Sequence, residues 1–110
     1  MRSARSKGKK DLEYLMWLHL LSCVACTRGR IVRHQFFNFT IEAHHAGARG
    51  MSQKADDRTA VPLCKRHHDR GSRESVHALG RGFWAAHGLD KDSLIRELNK
   101  AYDSLKEKTA

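Results

Sequence analysis

The chain has 110 residues, of which 40% are hydrophobic, and its 21 Lys and Arg against 12 Asp and Glu give a formal net charge of +9. This length fits one small domain with a modest core, for which a bound metal is a common source of stability. The charge predicts a polyanionic partner, most often nucleic acid. No stretch approaches the roughly 18 apolar residues of a membrane span, so we expect no membrane partner and a place in the reducing cytoplasm.

The first ten residues contain no acid and are predicted to form a disordered basic arm, followed by a single domain over residues 11–110. The arm is expected to contact phosphates through Arg2, Arg5, Lys7, Lys9 and Lys10. Residues 11–21 predict a helix that Asp11 caps. Its apolar stripe at helical spacing consists of Leu12, Leu15, Met16 and Leu20. Residues 31–41, rich in β-branched and aromatic side chains, predict one or two strands that end at the sequence EAHH.

The second half of the chain predicts short elements and then a long helix. Residues 46–60 are small, polar and charged and predict a loop. The loop is followed by a segment that is predicted to be extended, because Pro62 restricts the backbone of Val61. A helix is expected to begin near Cys64, and another to cover residues 77–88, with Phe83 and Trp84 on the core side and Gly88 at its end. The last helix should open at Asp90 or Asp92. Its amphipathic stripe consists of Leu94, Ile95, Leu98, Ala101 and Leu105.

The three cysteines and one histidine fall into two pairs with the same gap, Cys23 with Cys26 and Cys64 with His67. An odd number of cysteines argues against a pure disulfide framework. Zinc in structural sites is tetrahedral and accepts three cysteines with one histidine. The spacing therefore predicts one structural zinc.

Three histidines near these pairs have no thiol partner, namely His44, His45 and His68. Neighbouring residues on a helix point about 100° apart, so His67 and His68 can serve different sites. In a chain of high positive charge, these histidines favour metal-assisted phosphodiester cleavage. Imidazole suits Zn, Mn or Ni, phosphate oxygens also suit Mg, and a neutral imidazole can accept a proton from water near pH 7.

The stretches EAHH, VPLCKRHHD and VHALGRGFWAAHGLD resemble the HNH endonuclease motif. They are most similar to the small phage and prophage nucleases of the recombination enhancement function (Ref) type, and the resemblance covers residues 22–105. It implies a small α+β fold with a ββα-metal HNH core, a structural zinc and flanking helices. It also implies a DNA endonuclease of phage recombination in a bacterial host cell, with DNA and the RecA filament as partners.

The resemblance also implies roles for individual residues. His44 and His68 match ligands of a catalytic divalent ion, His45 matches the general base, and His77 matches a further ligand or a phosphate contact. The structural zinc ligands match Cys23, Cys26, Cys64 and His67.

Further positions are expected to orient the residues of this site. Thr59 stands where the HNH motif has asparagine, so either the Thr59 hydroxyl or Asp57 is expected to fix His45. Glu42 lies two residues before His44 and would share its face on a strand, where it can orient a ligand or an arginine.

Three arginines near the site are expected to neutralise flanking phosphates, namely Arg49, Arg66 and Arg70.

Two alternatives of another class remain open. The same cysteines and basic arm would suit a zinc-stabilised module that binds nucleic acid without turnover. An adaptor that acts on a recombinase filament is compatible with either. Binding alone does not require His44, His45 and His68 together, and cleavage of plasmid DNA distinguishes these cases.

Overall fold

The computed structural model describes residues 10–47 and 56–109. Two strands and five helices follow one another, with one 3₁₀ turn before the second strand: α1 (Leu12–Leu18), β1 (Ile41–His45), the 3₁₀ turn (Asp57–Thr59), β2 (Ala60–Cys64), α2 (Lys65–His68), α3 (Val76–Leu79), α4 (Gly82–Ala86) and α5 (Lys91–Thr109). The strands pair antiparallel, with Ile41 opposite Cys64 and His45 opposite Ala60. This is the small α+β class that the sequence predicts.

Part of the predicted basic surface lies outside the described residues, namely Arg2, Arg5, Lys7, Lys9 and Arg49. Lys10 is the first described residue and is exposed. Within the two described ranges, no helix has the length and apolar character needed to cross a membrane.

Helix α1 begins as predicted but buries a different face. The Asp11 carboxylate accepts a hydrogen bond of 3.1 Å from the backbone N–H of Tyr14. The predicted stripe is wrong in part, because Leu12 and Met16 are 71% and 51% exposed. Tyr14 and Trp17 are buried instead, and both rings pack on Tyr102 of α5 at centroid distances of 5.4 and 5.3 Å. Aromatic rings bury more area than Leu or Met, so this cluster determines which side of α1 faces inward.

The predicted strand over residues 31–41 forms only at its end. Residues 31–40 make a single isolated bridge, between Leu21 and Arg33, and regular pairing begins at Ile41. Phe36 and Phe39 are largely exposed. β-propensity describes side chains that fit a half-buried pleated surface, and this segment has no sheet to cover them.

The strand β2 contains the predicted extended segment around Pro62. The carbonyl of Pro62 accepts a hydrogen bond of 3.1 Å from the backbone N–H of Val24, on the side away from β1. The 3₁₀ turn Asp57–Thr59 directly precedes β2 and was not predicted from the sequence, and residues 48–55 of the predicted loop lie outside the described residues.

The predicted helix over residues 77–88 is two short helices, α3 and α4. They are separated at Gly80, whose φ of 56° interrupts the helical backbone. Phe83 is fully buried and Trp84 partly buried. Of the two candidate caps for α5, Asp90 is the one used, since its side chain accepts a hydrogen bond of 3.2 Å from the N–H of Ser93.

One arginine joins three elements. Arg58, in the 3₁₀ turn, donates to the carboxylate of Asp11 at 2.7 Å. It also donates to the side chains of Asn99 and Asp103 on α5 at 2.8 and 3.0 Å. The hydrogen bond from Arg58 holds the pKa of Asp11 below its usual value. The planar guanidinium thus fixes α1, the turn and α5 relative to one another.

We expect Arg58→Ala to lower the free energy of unfolding by about 2–3 kcal/mol, because it removes charge-assisted hydrogen bonds to three acceptors. Arg58→Lys should recover little of this, since an ammonium group lacks the planar fork. Urea unfolding followed by circular dichroism measures the effect.

The matched control is Lys106→Ala, which removes an exposed 2.7 Å contact with Glu13. Exposed pairs of this kind contribute little, so its unfolding midpoint should stay close to that of the parent. Equal effects of the two substitutions would contradict the role given to Arg58.

Candidate metal centres and active site

The two predicted ligand pairs converge on one point. Cys23 and Cys26 lie in the turn after α1, Cys64 ends β2, and His67 lies on α2. The Nδ1 atom of His67 lies 3.3–3.5 Å from all three sulfur atoms, and the Sγ atoms of Cys26 and Cys64 are 3.8 Å apart. A tetrahedral zinc with ordinary bond lengths has ligand-to-ligand edges of about 3.5–3.8 Å. The cluster can therefore hold zinc, as the spacing predicts.

The electrostatics of this cluster favour a cation. Burial raises the pKa of Cys23, and burial together with the neighbouring Cys23 and Cys64 raises that of Cys26 to about 12. Burial lowers the pKa of His67, which keeps its imidazole neutral, the form that binds metal. The Cys23 and Cys26 thiols thus stay protonated unless a bound cation offsets the charge of their thiolates.

His67 also has an acidic neighbour that the sequence did not indicate. Its Nε2 atom, which faces away from the sulfur atoms, lies 3.8 Å from the carboxylate of Glu74. Carboxylates near the outer nitrogen of a ligand histidine commonly orient the ring.

A second cluster contains His44 of β1, His68 of α2 and His77 of α3. One ring nitrogen from each lies within 4.8 Å of those of the others. The ring centroids are 5.0–5.7 Å apart. The adjacent residues His67 and His68 therefore point to two different clusters, and three imidazoles at this separation can share one divalent ion.

Glu42 supports this second cluster. Its carboxylate accepts a hydrogen bond of 2.5 Å from Nδ1 of His68. The residue lies two positions before His44 on β1, so both side chains leave the same face of the strand. Because Nδ1 of His68 carries the proton, its Nε2 lone pair is available to a metal.

His45 is held by an aspartate rather than by Thr59. Its Nε2 atom lies 2.8 Å from one carboxylate oxygen of Asp57, and the other oxygen accepts a hydrogen bond of 2.7 Å from the N–H of Asp11. The Thr59 hydroxyl instead donates to the carbonyl of Asp56 at 2.6 Å.

The negative charge of Asp57 indicates which ring nitrogen of His45 carries the proton. Burial raises the pKa of Asp57, but the hydrogen bonds from His45 and from Asp11 outweigh it, and the net pKa is lowered. An ionised carboxylate only accepts, so we assign the proton of the neutral His45 ring to Nε2. Its Nδ1 lone pair is then able to accept a proton.

The two predicted phosphate contacts Arg66, on α2, and Arg70, after its end, are both exposed but have different surroundings. Arg66 lies 3.5 Å from the carboxylate of Glu74 and lines an open cleft of about 640 Å³ beside Cys26 and His67. It therefore belongs to the side of the cysteine cluster. Arg70 is exposed beyond the end of the helix.

The fold and the site define a small α+β protein in which a zinc-competent cluster of three cysteines and one histidine adjoins a cluster of three histidines. The chain belongs to the family described as Protein of unknown function (DUF968), whose model matches residues 1–104. No curated protein and no solved structure matches the chain.

We expect the purified protein to contain one zinc per chain, and Cys64→Ala to lose both the metal and the folded state, because site formation and folding are coupled. Elemental analysis and circular dichroism measure the two effects. His34→Ala is the control, since His34 is an exposed histidine outside both clusters. A folded, metal-free Cys64→Ala protein would exclude the structural role.

Zinc uptake by the metal-free chain should release at least two protons at neutral pH, because the raised pKa values keep Cys23 and Cys26 protonated. Zinc affinity should accordingly fall as the pH falls, by about tenfold per unit for each proton released. Titration in a weakly buffered indicator solution counts the protons. Release of none would show that these thiols are not ligands.

Proposed function

We propose that this protein is a metal-dependent DNA endonuclease of the HNH type that hydrolyses phosphodiester bonds. One observation carries the proposal: the carboxylate-bound His45 follows directly on His44, a member of the three-histidine cluster. The net charge of +9 supports a polyanionic substrate. The sequence resemblance supports the choice of DNA.

His45 acts as the general base in this proposal. Its Nδ1 atom accepts the proton of the attacking water, and the hydrogen bond from Nε2 to Asp57 fixes the ring and stabilises the imidazolium that forms. The N–H of Asp11 holds Asp57 in turn. The catalytic residue is thus oriented by the start of α1.

The three-histidine cluster is the proposed site of the catalytic ion. His44, His68 and His77 would hold it, and Mg, Mn, Zn and Ni are the candidates. When bound, the ion stabilises negative charge on the phosphate and on the leaving oxygen. Glu42 keeps His68 in the orientation that presents Nε2.

The resemblance to Ref-type nucleases further supports a role in phage or prophage recombination in the bacterial cytoplasm, with the RecA filament as a second partner. Cleavage of plasmid and single-stranded DNA, with and without RecA and ATP, tests this part separately. Stimulation by RecA supports it, and cleavage that RecA leaves unchanged counts against it.

The second candidate function is a zinc-stabilised module that binds nucleic acid without turnover. The cysteine cluster and the charge suit it equally well. It gives no role to the contact between His45 and Asp57, which is why we favour the nuclease.

We expect His45→Ala to reduce nicking of supercoiled plasmid by about 10²–10⁴, the usual contribution of a positioned base, with the fold and ion binding retained. His68→Ala should instead raise the ion concentration needed for half-maximal nicking, and added ion should partly restore the rate. Asp57→Asn, which keeps the size of the side chain, should slow nicking without changing the ion requirement.

His34→Ala serves as the control and should nick like the parent. Metal titrations with Mg, Mn, Zn and Ni separate the two classes of variant. If His45→Ala nicks as fast as the parent, the assignment of the base is wrong. If the parent nicks nothing with any of these ions, the binding module becomes the better description.

A further inference from the structure

Three phenylalanines lie just before β1 and are here called the aromatic platform: Phe36 and Phe39, which are exposed, and Phe37, which is half-buried. Phe36 is 76% exposed and Phe39 is 87% exposed. The ring of Phe37 stacks on His19 at a centroid distance of 4.7 Å and lies 4.8 Å from the ring of Phe39. These rings contribute little to the core, so their exposure suggests contact with a partner.

The platform is fixed to the body of the protein. The N–H of His34 donates to the carbonyl of Leu20 at 2.7 Å, and the N–H of Asn38 donates to that of His19 at 2.8 Å. The Asn38 side chain also accepts from the backbone and the hydroxyl of Thr40 at 2.9 and 2.6 Å. The rings are therefore presented by an anchored backbone, which lowers the entropy lost on binding.

Positive charge accompanies the platform. Residues 27–40 contain no acid, and Arg30 and Arg33 of this segment are both exposed. Among the ion pairs of the described ranges, none involves these two arginines. An acidic partner would neutralise them, whereas an apolar protein surface would leave their charge uncompensated.

We propose that the aromatic platform and the two arginines of its segment, Arg30 and Arg33, bind single-stranded nucleic acid, with unstacked bases on Phe36 and Phe39 and phosphates on the arginines. Proteins that bind single strands combine such rings, on which bases of any sequence stack, with a basic surface that follows the backbone. In duplex DNA the base faces are covered by their neighbours. The inference rests on the proposed function for the choice of nucleic acid as the partner. It adds that the bound nucleic acid is single-stranded.

The platform is close enough to the candidate active site to serve the same strand. Phe39 precedes His44 by five residues, a span of at most about 17 Å in extended chain. One single strand held on Phe39 can thus extend to the three-histidine cluster.

The test measures binding in the zinc-loaded full chain without any other divalent ion, so its result does not depend on cleavage. The probes are labelled oligothymidylate and oligouridylate of about 20 nucleotides, longer than the roughly 4–16 that such sites cover, and a duplex of equal length. Phe36→Ala and Phe39→Ala should each weaken single-strand binding about 5- to 150-fold and leave duplex binding unchanged. Comparison of the two single-stranded probes shows whether DNA or RNA is preferred.

Leu12→Ala combined with Met16→Ala is the matched control, because it removes exposed apolar area without an aromatic face. It should leave binding unchanged. A Phe39→Trp variant gives a direct readout, since bases that stack on the new indole should quench fluorescence beyond any change in the parent, which contains the buried Trp17 and the partly buried Trp84.

Changing Arg30 and Arg33 together to Gln should weaken single-strand binding and flatten its salt dependence. Unchanged single-strand binding in the Phe36→Ala and Phe39→Ala variants would overturn the proposal, whether or not the parent cleaves DNA. A parent that sediments as a dimer and becomes a monomer on these two changes would also overturn it, in favour of contact between copies of the chain.

Discussion

The convergence of three sulfur atoms and one ring nitrogen on a single point is the constraint on which the rest of this small structure depends. The contributing segments are far apart in sequence, since Cys64 follows Cys26 by 38 positions. The elements near them are too short to be stable alone, since β2 has five residues and α2 only four. A cation at this point would join the turn after α1 to the end of the sheet, in a chain too small for a large core.

Two separate frameworks hold the two halves of the candidate active site. His68 takes its position from α2, whose preceding residue His67 belongs to the cysteine cluster. His45 takes its orientation from Asp57, which the start of α1 and the adjacent Arg58 keep in place. The position of His68 in the three-histidine cluster therefore depends on the cysteine cluster, and the orientation of His45 depends on the packing of α1 against α5.

Local patterns in the sequence predicted the features that depend on short spacing. These include the cap at Asp11, the two ligand pairs, and the different directions of His67 and His68. Features that depend on distant elements were missed or left open. The buried face of α1 is determined by Tyr102 at the other end of the chain, and the choice of Asp57 over Thr59 depends on how the 3₁₀ turn packs. The strand expected before Ile41 failed because β-propensity cannot show whether a sheet is present to cover the side chains.

The proline in β2 has a consequence for behaviour at high concentration. A two-stranded sheet has open edges, and unpaired N–H and carbonyl groups at an edge can add a strand from another molecule. Pro62 has no N–H to offer, and its carbonyl is already bonded to Val24 on the side away from β1. The middle of this edge is therefore closed to intermolecular β-pairing, which lowers the tendency of the protein to aggregate at high concentration.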